Sequence, residues 1–331
     1  MKNLMKPNDM LATLTTLMRE PETAPSVIVS GPPGVGKTAL VAQAAQAAGQ
    51  PLYALALPTC EAVDLRGLPV VRDGRTVWCS PWSSLAPGVL LLDELSSAAS
   101  DVQAAAHHLL WRETGSDMAL GPGWVVVATG NRGQDRTHYR ALSAPVRGRA
   151  ILLDLSVEAG EWCSWALGAG VRAEVVGFIR WRPALLATPE IPAEGAYPSP
   201  RAWARLSALL ALPLPAEAEI FAGVVGPGAA TEFRAYLHLA RQLPSAARCM
   251  EHPLDEPVPA DPGTRYALAA ALACHSIQTG CSAMPYVRRL PAEIALVYIR
   301  DIRDSHAEIL RDCPAFAAWC SEHSTMFEAE A

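Results

Sequence analysis

The sequence lacks the features that would place it at a membrane or on nucleic acid. Its 331 residues hold no uncharged apolar run near the roughly 20 residues that span a bilayer, and its start, MKNLMKPNDM, has no apolar signal core. Positive charge is also scarce, since 27 Lys and Arg face 33 Asp and Glu and leave a net charge of −6. Such a chain does not bind nucleic acid or anionic lipid through bulk charge. We therefore expect a soluble, cytoplasmic protein without membrane contact, and nucleic acid is disfavoured as a partner.

Paired cysteines are missing as well. The eight cysteines include no Cys-x-x-Cys pair and are scattered through segments with the composition of a core. A zinc site formed by Cys313, Cys320, His306 and His323 is the alternative, but this spacing matches no usual zinc-ligand pattern. The sequence predicts reduced thiols and no zinc site.

Five apolar runs in the first half predict a buried parallel sheet. Each run is continuously apolar rather than alternating, which indicates burial on both faces of a sheet covered by helices. Between the runs lie helical patterns: 37–48 ends at Gly49, and Ser100-x-x-Gln103 has the form of a capping box that opens a helix through Trp111. The runs lie at 26–30, 51–57, 89–92, 124–128 and 150–155. The expected fold class is α/β, with a five-stranded parallel sheet between helices.

The second half has no strand patterns. From Ser156 onward, helical stretches are separated by breaks that contain proline. We expect three parts: an α/β domain at 1–155, a helical domain at 156–243, and a C-terminal helical extension at 244–331 that begins with a proline-rich linker.

The stretch 64–88 has the character of an insertion into the α/β domain. Asp73-Gly74 lies between two short β-prone runs and predicts the turn of a hairpin. Trp78 and Trp82 in this insertion either grip a partner or pack on the sheet, and packing is favoured for at least one of them.

The stretch SGPPGVGKTAL joins the first predicted strand to the first predicted helix and forms a complete P-loop. Its glycines let backbone N–H groups face phosphate oxygens, Lys37 reaches the β- and γ-phosphates, and the Thr38 hydroxyl is a magnesium ligand. The alternative is a glycine-rich turn without a ligand, but the preceding strand and the following helix both favour a nucleotide. The residues expected to bind it are Gly31, Pro32, Pro33, Gly34, Val35, Gly36, Lys37, Thr38 and Ala39.

Asp93 and Glu94 end the buried run GVLLLDEL. Asp93 can hold the shell of a bound Mg²⁺, and Glu94 can polarise a water molecule against the γ-phosphate. The alternative is a pair of surface acids at the start of a helix. A plain nucleotide switch does not need the glutamate, so the pair predicts a hydrolase. ATP is favoured over GTP because no Asn-Lys-x-Asp motif follows the strands.

Polar residues at three other places suit a phosphate site. Asn131 follows the fourth strand in VVVATGN, at the edge where α/β sheets bind their ligands. Arg201 lies in the first turn of a helix that Ser199 caps, where a phosphate sensor and a solvated surface arginine are both open interpretations. Arg147 and Arg149 flank a glycine in APVRGRAILLDL, just ahead of the fifth strand.

In this order the motifs resemble those of AAA+ ATPases, and more narrowly the MoxR-like family of the dynein-related and magnesium-chelatase branch. The resemblance covers about residues 26–210, and DLRGLP and Ser-Pro-Arg are its narrower part. It implies a P-loop AAA+ core followed by an all-α lid, with ATP bound between the subunits of a ring, commonly a hexamer. The matching motifs are GPPGVGKT at 31–38, DLRGLP at 64–69, LLLDEL at 90–95, ATGN at 128–131, APVRGR at 144–149 and SPRAW at 199–203.

The resemblance also implies residue roles and a partner. Asn131 would be the first sensor, Arg201 the sensor of the lid, and Arg149 the arginine finger that reaches a neighbour's ATP. Relatives usually have an aromatic residue after the finger, whereas Ala150 follows here, so Arg147 is the alternative finger. The implied partner is a protein with a von Willebrand factor A domain, which the ring remodels or activates. The alternatives are a nucleic-acid motor or loader, and a nucleotide switch that does not hydrolyse.

Overall fold

The computed structural model describes residues 4–111, 120–135 and 139–323. The chain divides into two compact units, Met1–Glu158 and Ala159–Ala331. Among the described residues the first unit holds all the strands, and the second contains helices without strands. The further boundary expected at 243 stays a prediction, and the end of the expected extension, 324–331, lies outside the described residues.

The first unit alternates strands with helices. Its strands are β1 (Leu4–Met5), β2 (Ser26–Ser30), β3 (Leu52–Ala56), β4 (Leu68–Arg72), β5 (Arg75–Cys79), β6 (Val89–Asp93), β7 (Val125–Gly130) and β8 (Ala150–Leu155). Its helices are α1 (Pro7–Arg19), α2 (Lys37–Ala48), α3 (Ala62–Arg66), α4 (Ser100–Leu110) and the single turn α5 (Ala144–Arg147).

The main sheet is parallel and has six strands in the order β1-β8-β2-β7-β6-β3. The five predicted strands are confirmed as β2, β3, β6, β7 and β8, so the predicted count is one short. The sixth strand, β1, pairs with Asp154 and Leu155 at the end of β8. Its two residues are too few to show an apolar pattern, and only its pairing makes it a strand.

The central strands of the main sheet, β2, β6 and β7, are buried on both faces. In β6, Val89 and Leu91 pack on the side that α1 and α2 cover, while Leu90 and Leu92 pack on the opposite side with α4, and all four are fully buried. These strands confirm what the continuous apolar runs predict, because a strand with one wet face would alternate. In β3 and β8 the prediction of full burial is wrong, because β3 is an edge strand and β1 pairs only with the end of β8.

The predicted hairpin lies outside this sheet. Strand β4 pairs antiparallel with β5, and the turn residues Asp73 and Gly74 both have positive φ, at 52° and 72°, as a type I′ turn requires. At the base of the hairpin a Cβ on Gly67 would lie 1.9 Å from the carbonyl oxygen of Cys79, so only glycine fits. Trp82 packs as expected, since it is buried and its indole N–H donates to the Leu65 carbonyl at 3.3 Å.

Two predicted helix ends have different outcomes. Helix α2 ends at Gly49 with φ of 69°, which confirms the prediction. The capping box at Ser100 and Gln103 is wrong: α4 begins at Ser100, its N-cap is Ala99, and no side chain caps it. The amide of Gln103 donates instead to the Leu95 carbonyl at 3.0 Å, because the preceding turn folds back within its reach.

The helices of the second unit pack around a group of aromatic side chains. The Phe178 ring lies 5.1 to 5.3 Å from the rings of Trp203, Phe233 and Tyr236, measured between centroids. The described helices of this unit are α6 (Ala159–Gly168), α7 (Ala173–Trp181), α8 (Pro200–Leu209), α9 (Glu217–Val225), α10 (Pro227–Ala240), α11 (Ala246–Glu251), α12 (Pro262–Thr279), α13 (Met284–Val287), α14 (Ala292–His306), α15 (Glu308–Arg311) and α16 (Pro314–Glu322).

The sequence predicts helical stretches at about 157–168, 172–186, 201–211, 229–242, 264–278 and 291–310. Helices α9 and α13 lie outside these stretches, and α11 lies inside the linker expected at about 244–262. Within the described residues, no helix has both the length and the apolar character that crossing a membrane requires.

Candidate nucleotide-binding site

The P-loop connects β2 to α2, as the sequence predicts. Gly34 and Gly36 have φ of 77° and 103°, a region that glycine enters without strain. The backbone N–H of Gly31 donates to the Gly130 carbonyl at 3.2 Å, which ties the start of the loop to the end of β7. Pro32, Pro33, Val35 and Ala39 occupy the same turn and the first turn of α2.

Lys37 links the P-loop to Asn131, the residue that follows β7. Its ammonium donates to the carbonyl oxygens of Gly31 and Pro32, at 2.9 and 3.0 Å, and to the side-chain oxygen of Asn131, at 3.0 Å. A lysine ammonium has three N–H donors, and these three acceptors match that number. The predicted phosphate-binding cation and the predicted first sensor are therefore in direct contact.

Thr38 and Asp93 suit a magnesium ion by their chemistry. The Thr38 hydroxyl lies 2.9 and 3.1 Å from the two carboxylate oxygens of Asp93, so the two predicted ligands are neighbours. Hydroxyl and carboxylate oxygens are hard donors, and Mg²⁺ is usually held by one or two carboxylates together with substrate phosphates. The donor set present fits the ion that the P-loop implies.

Glu94 marks an abrupt change of direction in the backbone. It follows the last residue of β6 and has φ of 59° and ψ of 39°, a left-handed conformation that is uncommon outside glycine. Glu94 is exposed. Its backbone N–H donates to the hydroxyl of Thr129 at 3.1 Å. The turn therefore separates Glu94 from the buried strand that carries Asp93.

Two hydroxyl residues of the site were missed by the sequence patterns. Thr129 donates to a carboxylate oxygen of Asp93, and Ser96 accepts from the backbone N–H of Asn131 at 2.8 Å. The only sequence signal is their position within two residues of Glu94 or Asn131. Serine and threonine are common near strand ends, so this signal is weak.

A cavity of about 230 Å³ lies beside these residues at the carboxyl edge of β2, β7 and β8. Its polar lining includes Ser30, Ser96, Thr129, Asn131 and Asp154. This is the edge of an open α/β sheet at which ligands bind.

Arg147 and Arg149 lie at the opposite edge of the sheet. Strand β8 pairs with β2 so that Ala150 faces Ser26 and Asp154 faces Ser30. Arg149 thus precedes the start of β8, whereas the P-loop follows the end of β2, and a strand of this length spans roughly 16 Å. The arginines and the P-loop of one chain are not brought together.

Arg149 makes contacts within its own unit. Its guanidinium carbon lies 4.1 Å from the centroid of the Trp111 ring, and its Nη1 donates to the Pro145 carbonyl at 2.9 Å. Burial, followed by the positive charges of Arg149 and His108, lowers the pKa of His107 below its usual value. Arg147, at the end of α5, is exposed.

Arg201 belongs to the second unit. Its helix α8 begins as predicted, because the Ser199 side chain accepts from the Ala202 N–H at 3.2 Å and Pro200 occupies the first position. Arg201 is exposed in the first turn. Its role as the lid sensor stays a prediction.

The residues of the alternative zinc site make other contacts or are free thiols. All eight cysteines are free thiols. His323, which the zinc alternative would use, stacks on Trp319 with 4.4 Å between ring centroids. No group of three or more His, Cys, Asp or Glu side chains suited to a metal occurs in the part of the chain that the structure describes.

One family model matches most of the chain, and curated proteins match parts of it. A family model described as AAA ATPase domain matches residues 8–312. Protein NorQ of Paracoccus denitrificans is 31% identical over 139 residues, which are 39% of this chain and 51% of NorQ. Replication factor C subunit 4 of Oryza sativa subsp. japonica is 36% identical over 101 residues, 30% of each chain. The chain therefore spans about half or less of the curated relatives it matches.

Solved structures of RuvB are among those to which the chain is similar. A RuvB mutant from Thermotoga maritima superposes with a TM-score of 0.43 at 18% identity, over 84% of this chain and 85% of that one.

Proposed function

This chain belongs to the AAA ATPase domain family, with motifs of the MoxR-like type, and we propose that it hydrolyses ATP as a ring that remodels or activates a protein partner. The observation that best supports hydrolysis is the meeting of three segments at one edge of the sheet. Lys37 contacts Asn131 at 3.0 Å, Thr38 contacts Asp93 at 2.9 Å, and Glu94 follows Asp93 directly. The residues to which we assign phosphate binding, metal binding and water activation thus lie at the ends of β2, β6 and β7.

Each residue has a role that its position supports. Lys37 holds the β- and γ-phosphates by exchanging the P-loop carbonyl oxygens that its ammonium contacts for phosphate oxygens. Thr38 and Asp93 would hold a Mg²⁺ ion, which would supply positive charge against the phosphate oxygens. Glu94 is exposed and able to polarise a water molecule, which the amide of Asn131 orients.

In our proposal a second subunit supplies the arginine finger. Arg149 lies at the far end of β8, about a full strand length from the P-loop of its own chain. An arginine there can act only on a neighbour's nucleotide, and this is why a ring is required. The MoxR-like resemblance makes a hexamer the expected ring. Arg147, which is exposed at the same edge, is the alternative finger.

The partner is proposed from the resemblance, as a protein with a von Willebrand factor A domain. The competing proposal is a nucleic-acid motor or loader, and the net charge of −6 argues against it. The two are separated by which macromolecule stimulates ATP turnover. Stimulation by DNA or RNA, without any by proteins captured on the ATP-bound ring, would favour the motor.

Ring assembly is tested with the variant Glu94→Gln. It keeps the P-loop and Asp93 but loses the carboxylate that activates water, so it should hold ATP between subunits without consuming it. We expect mass photometry to show a single ring species when ATP and Mg²⁺ are present. Lys37→Ala is the matched control and should not assemble with ATP, because it lacks the cation that holds the phosphates. A Glu94→Gln protein that stays monomeric with ATP would contradict the proposal.

A further inference from the structure

The backbone ladder between β6 and β7 stops just before the catalytic acids. Its last pair is Leu92 opposite Ala128, although β7 continues to Gly130. The left-handed turn at Glu94 ends the extended backbone, so the groups that follow do not continue the ladder, although the turn at Leu95–Ser97 still lies against β7. A different connection is needed to keep Asp93 and Glu94 beside β7.

Two buried hydroxyls supply that connection. Thr129 donates to a carboxylate oxygen of Asp93 and accepts from the backbone N–H of Glu94 at 3.1 Å, and it is fully buried. Ser96, 1% exposed, accepts from the backbone N–H of Asn131 at 2.8 Å. We call these two hydroxyls, with the bonds they make, the hydroxyl clasp.

We propose that Thr129 is a positioning residue for ATP hydrolysis, because its hydroxyl holds the Asp93 carboxylate and the Glu94 backbone in one arrangement. The direction of both bonds is determined by chemistry. A backbone N–H can only donate, and an ionised carboxylate can only accept, so the single proton of the Thr129 hydroxyl is directed at Asp93. One hydroxyl therefore fixes the predicted metal ligand and the predicted water-activating residue together.

Thr129 acts through other residues rather than on the substrate. The predicted metal ligands are Thr38 and Asp93, and Thr38 approaches the same carboxylate from α2 at 2.9 Å. The carboxylate is thus held from two elements, and removal of Thr129 leaves it held from α2 alone. It also leaves the Glu94 N–H without this acceptor, next to a left-handed backbone that ordinary residues rarely adopt.

The test compares Thr129→Val, which keeps the shape and removes the hydroxyl, with Thr129→Ser, which keeps the hydroxyl. Partners that hold a metal-ligating carboxylate typically contribute 10- to 100-fold, so we expect kcat to fall by about 10- to 100-fold in Thr129→Val. We expect KM for ATP to change by less than about threefold, since the phosphate-binding residues are untouched. Thr129→Ser should restore kcat to near the wild-type value.

A second readout does not depend on turnover. Binding of a fluorescent ADP analogue is titrated with Mg²⁺, and in Thr129→Val the Mg²⁺ concentration at half-saturation should rise by about tenfold. The matched control is Thr231→Val, which makes the same chemical change on an exposed turn of α10, where the hydroxyl donates to the Pro227 carbonyl at 2.8 Å. Thr231→Val should leave both readouts at wild-type values.

The outcomes separate this inference from the proposed function on which it rests. A wild-type chain that assembles but hydrolyses no ATP contradicts the proposed function, and the Mg²⁺ titration still tests the hydroxyl clasp. A Thr129→Val protein that matches Thr231→Val in kcat and in Mg²⁺ dependence overturns the inference. Circular dichroism melting establishes that each variant is folded. If Thr129→Val does not fold, Thr129→Ala against Thr129→Ser provides the same comparison.

Discussion

Three buried tyrosines of the second unit differ in whether their hydroxyl groups are hydrogen-bonded. The Tyr298 hydroxyl accepts from the Ala283 N–H at 2.8 Å, and the Tyr286 hydroxyl donates to the Pro257 carbonyl at 2.8 Å. The Tyr236 hydroxyl is buried without a hydrogen-bond partner among the described residues. Burial is the main reason why the pKa of each tyrosine lies above its usual value. The sign of a Tyr→Phe change should therefore differ between these sites.

At the residue scale we expect Tyr236→Phe to stabilise the protein. It removes a buried hydroxyl that forms no bond, and a group of this kind costs about 1–3 kcal/mol, which sets the upper limit of the gain. Tyr298→Phe makes the same change where the hydroxyl is bonded, and should destabilise by about 1–3 kcal/mol because the Ala283 N–H loses its acceptor. Urea denaturation measures both variants. A loss of stability in Tyr236→Phe equal to that in Tyr298→Phe would refute this assignment.

Helices α7 and α14 are joined by a buried ion pair. Arg180 pairs with Asp301, and their side chains are 7% and 0% exposed. Burial lowers the pKa of Arg180 below its usual value. Arg182, the residue directly after α7, forms an exposed pair with Glu232 on α10, at 49% and 40% exposure. The C-terminal end of α7 thus offers a buried and an exposed ion pair for direct comparison.

At the element scale we expect these pairs to differ in their contribution to stability. Asp301→Ala leaves the guanidinium of Arg180 buried without its counter-charge, and should reduce the free energy of unfolding by about 3–5 kcal/mol. Glu232→Ala is the matched control, and should cost about 0–1 kcal/mol because water screens an exposed pair. Thermal and urea unfolding report both values. Equal losses in the two variants would show that Asp301 is not effectively buried.

The whole-molecule question is whether one catalytic site needs two subunits. Arg149 and the P-loop of one chain lie at opposite edges of the sheet, while Glu94 lies at the P-loop edge. In a shared site the finger and the water-activating residue come from different chains. Two inactive variants should then complement each other when they are mixed.

Arg149→Ala should bind ATP nearly as the wild type does and lose turnover by roughly 10³- to 10⁵-fold, since the phosphate-binding residues remain and the trans arginine is lost. Mixing it with Glu94→Gln subunits should restore part of the activity, because one kind of mixed interface combines an intact Glu94 with an intact Arg149. Steady-state ATPase assays of the separate and mixed variants measure this. If Arg147→Ala alone removes turnover while Arg149→Ala does not, the finger is Arg147.

Part of the fold could be predicted from the sequence, because it depends on the chemistry of short segments. The continuous apolar runs identify β2, β3, β6, β7 and β8, because an apolar run of this length is visible in each segment by itself, although only β2, β6 and β7 are buried on both faces. The P-loop, the hairpin turn at Asp73-Gly74 and the end of α2 at Gly49 are likewise local, since each depends on which φ values a short segment can adopt. The roles predicted for Asp93 and Glu94 depend on their position at the end of a buried strand, which is also visible in the sequence.

The tertiary structure decided what depends on residues far apart in the chain. Pairing with β8 makes a strand of Leu4–Met5, and contact with the Leu95 turn draws the Gln103 side chain away from the expected capping box. The register of β8 on β2 places Arg149 at the edge opposite the P-loop, and the end of the β6 ladder leaves Thr129 to hold Asp93 and Glu94. A single hydroxyl or arginine shows no pattern along the sequence, because its partners are chosen by strand register and packing.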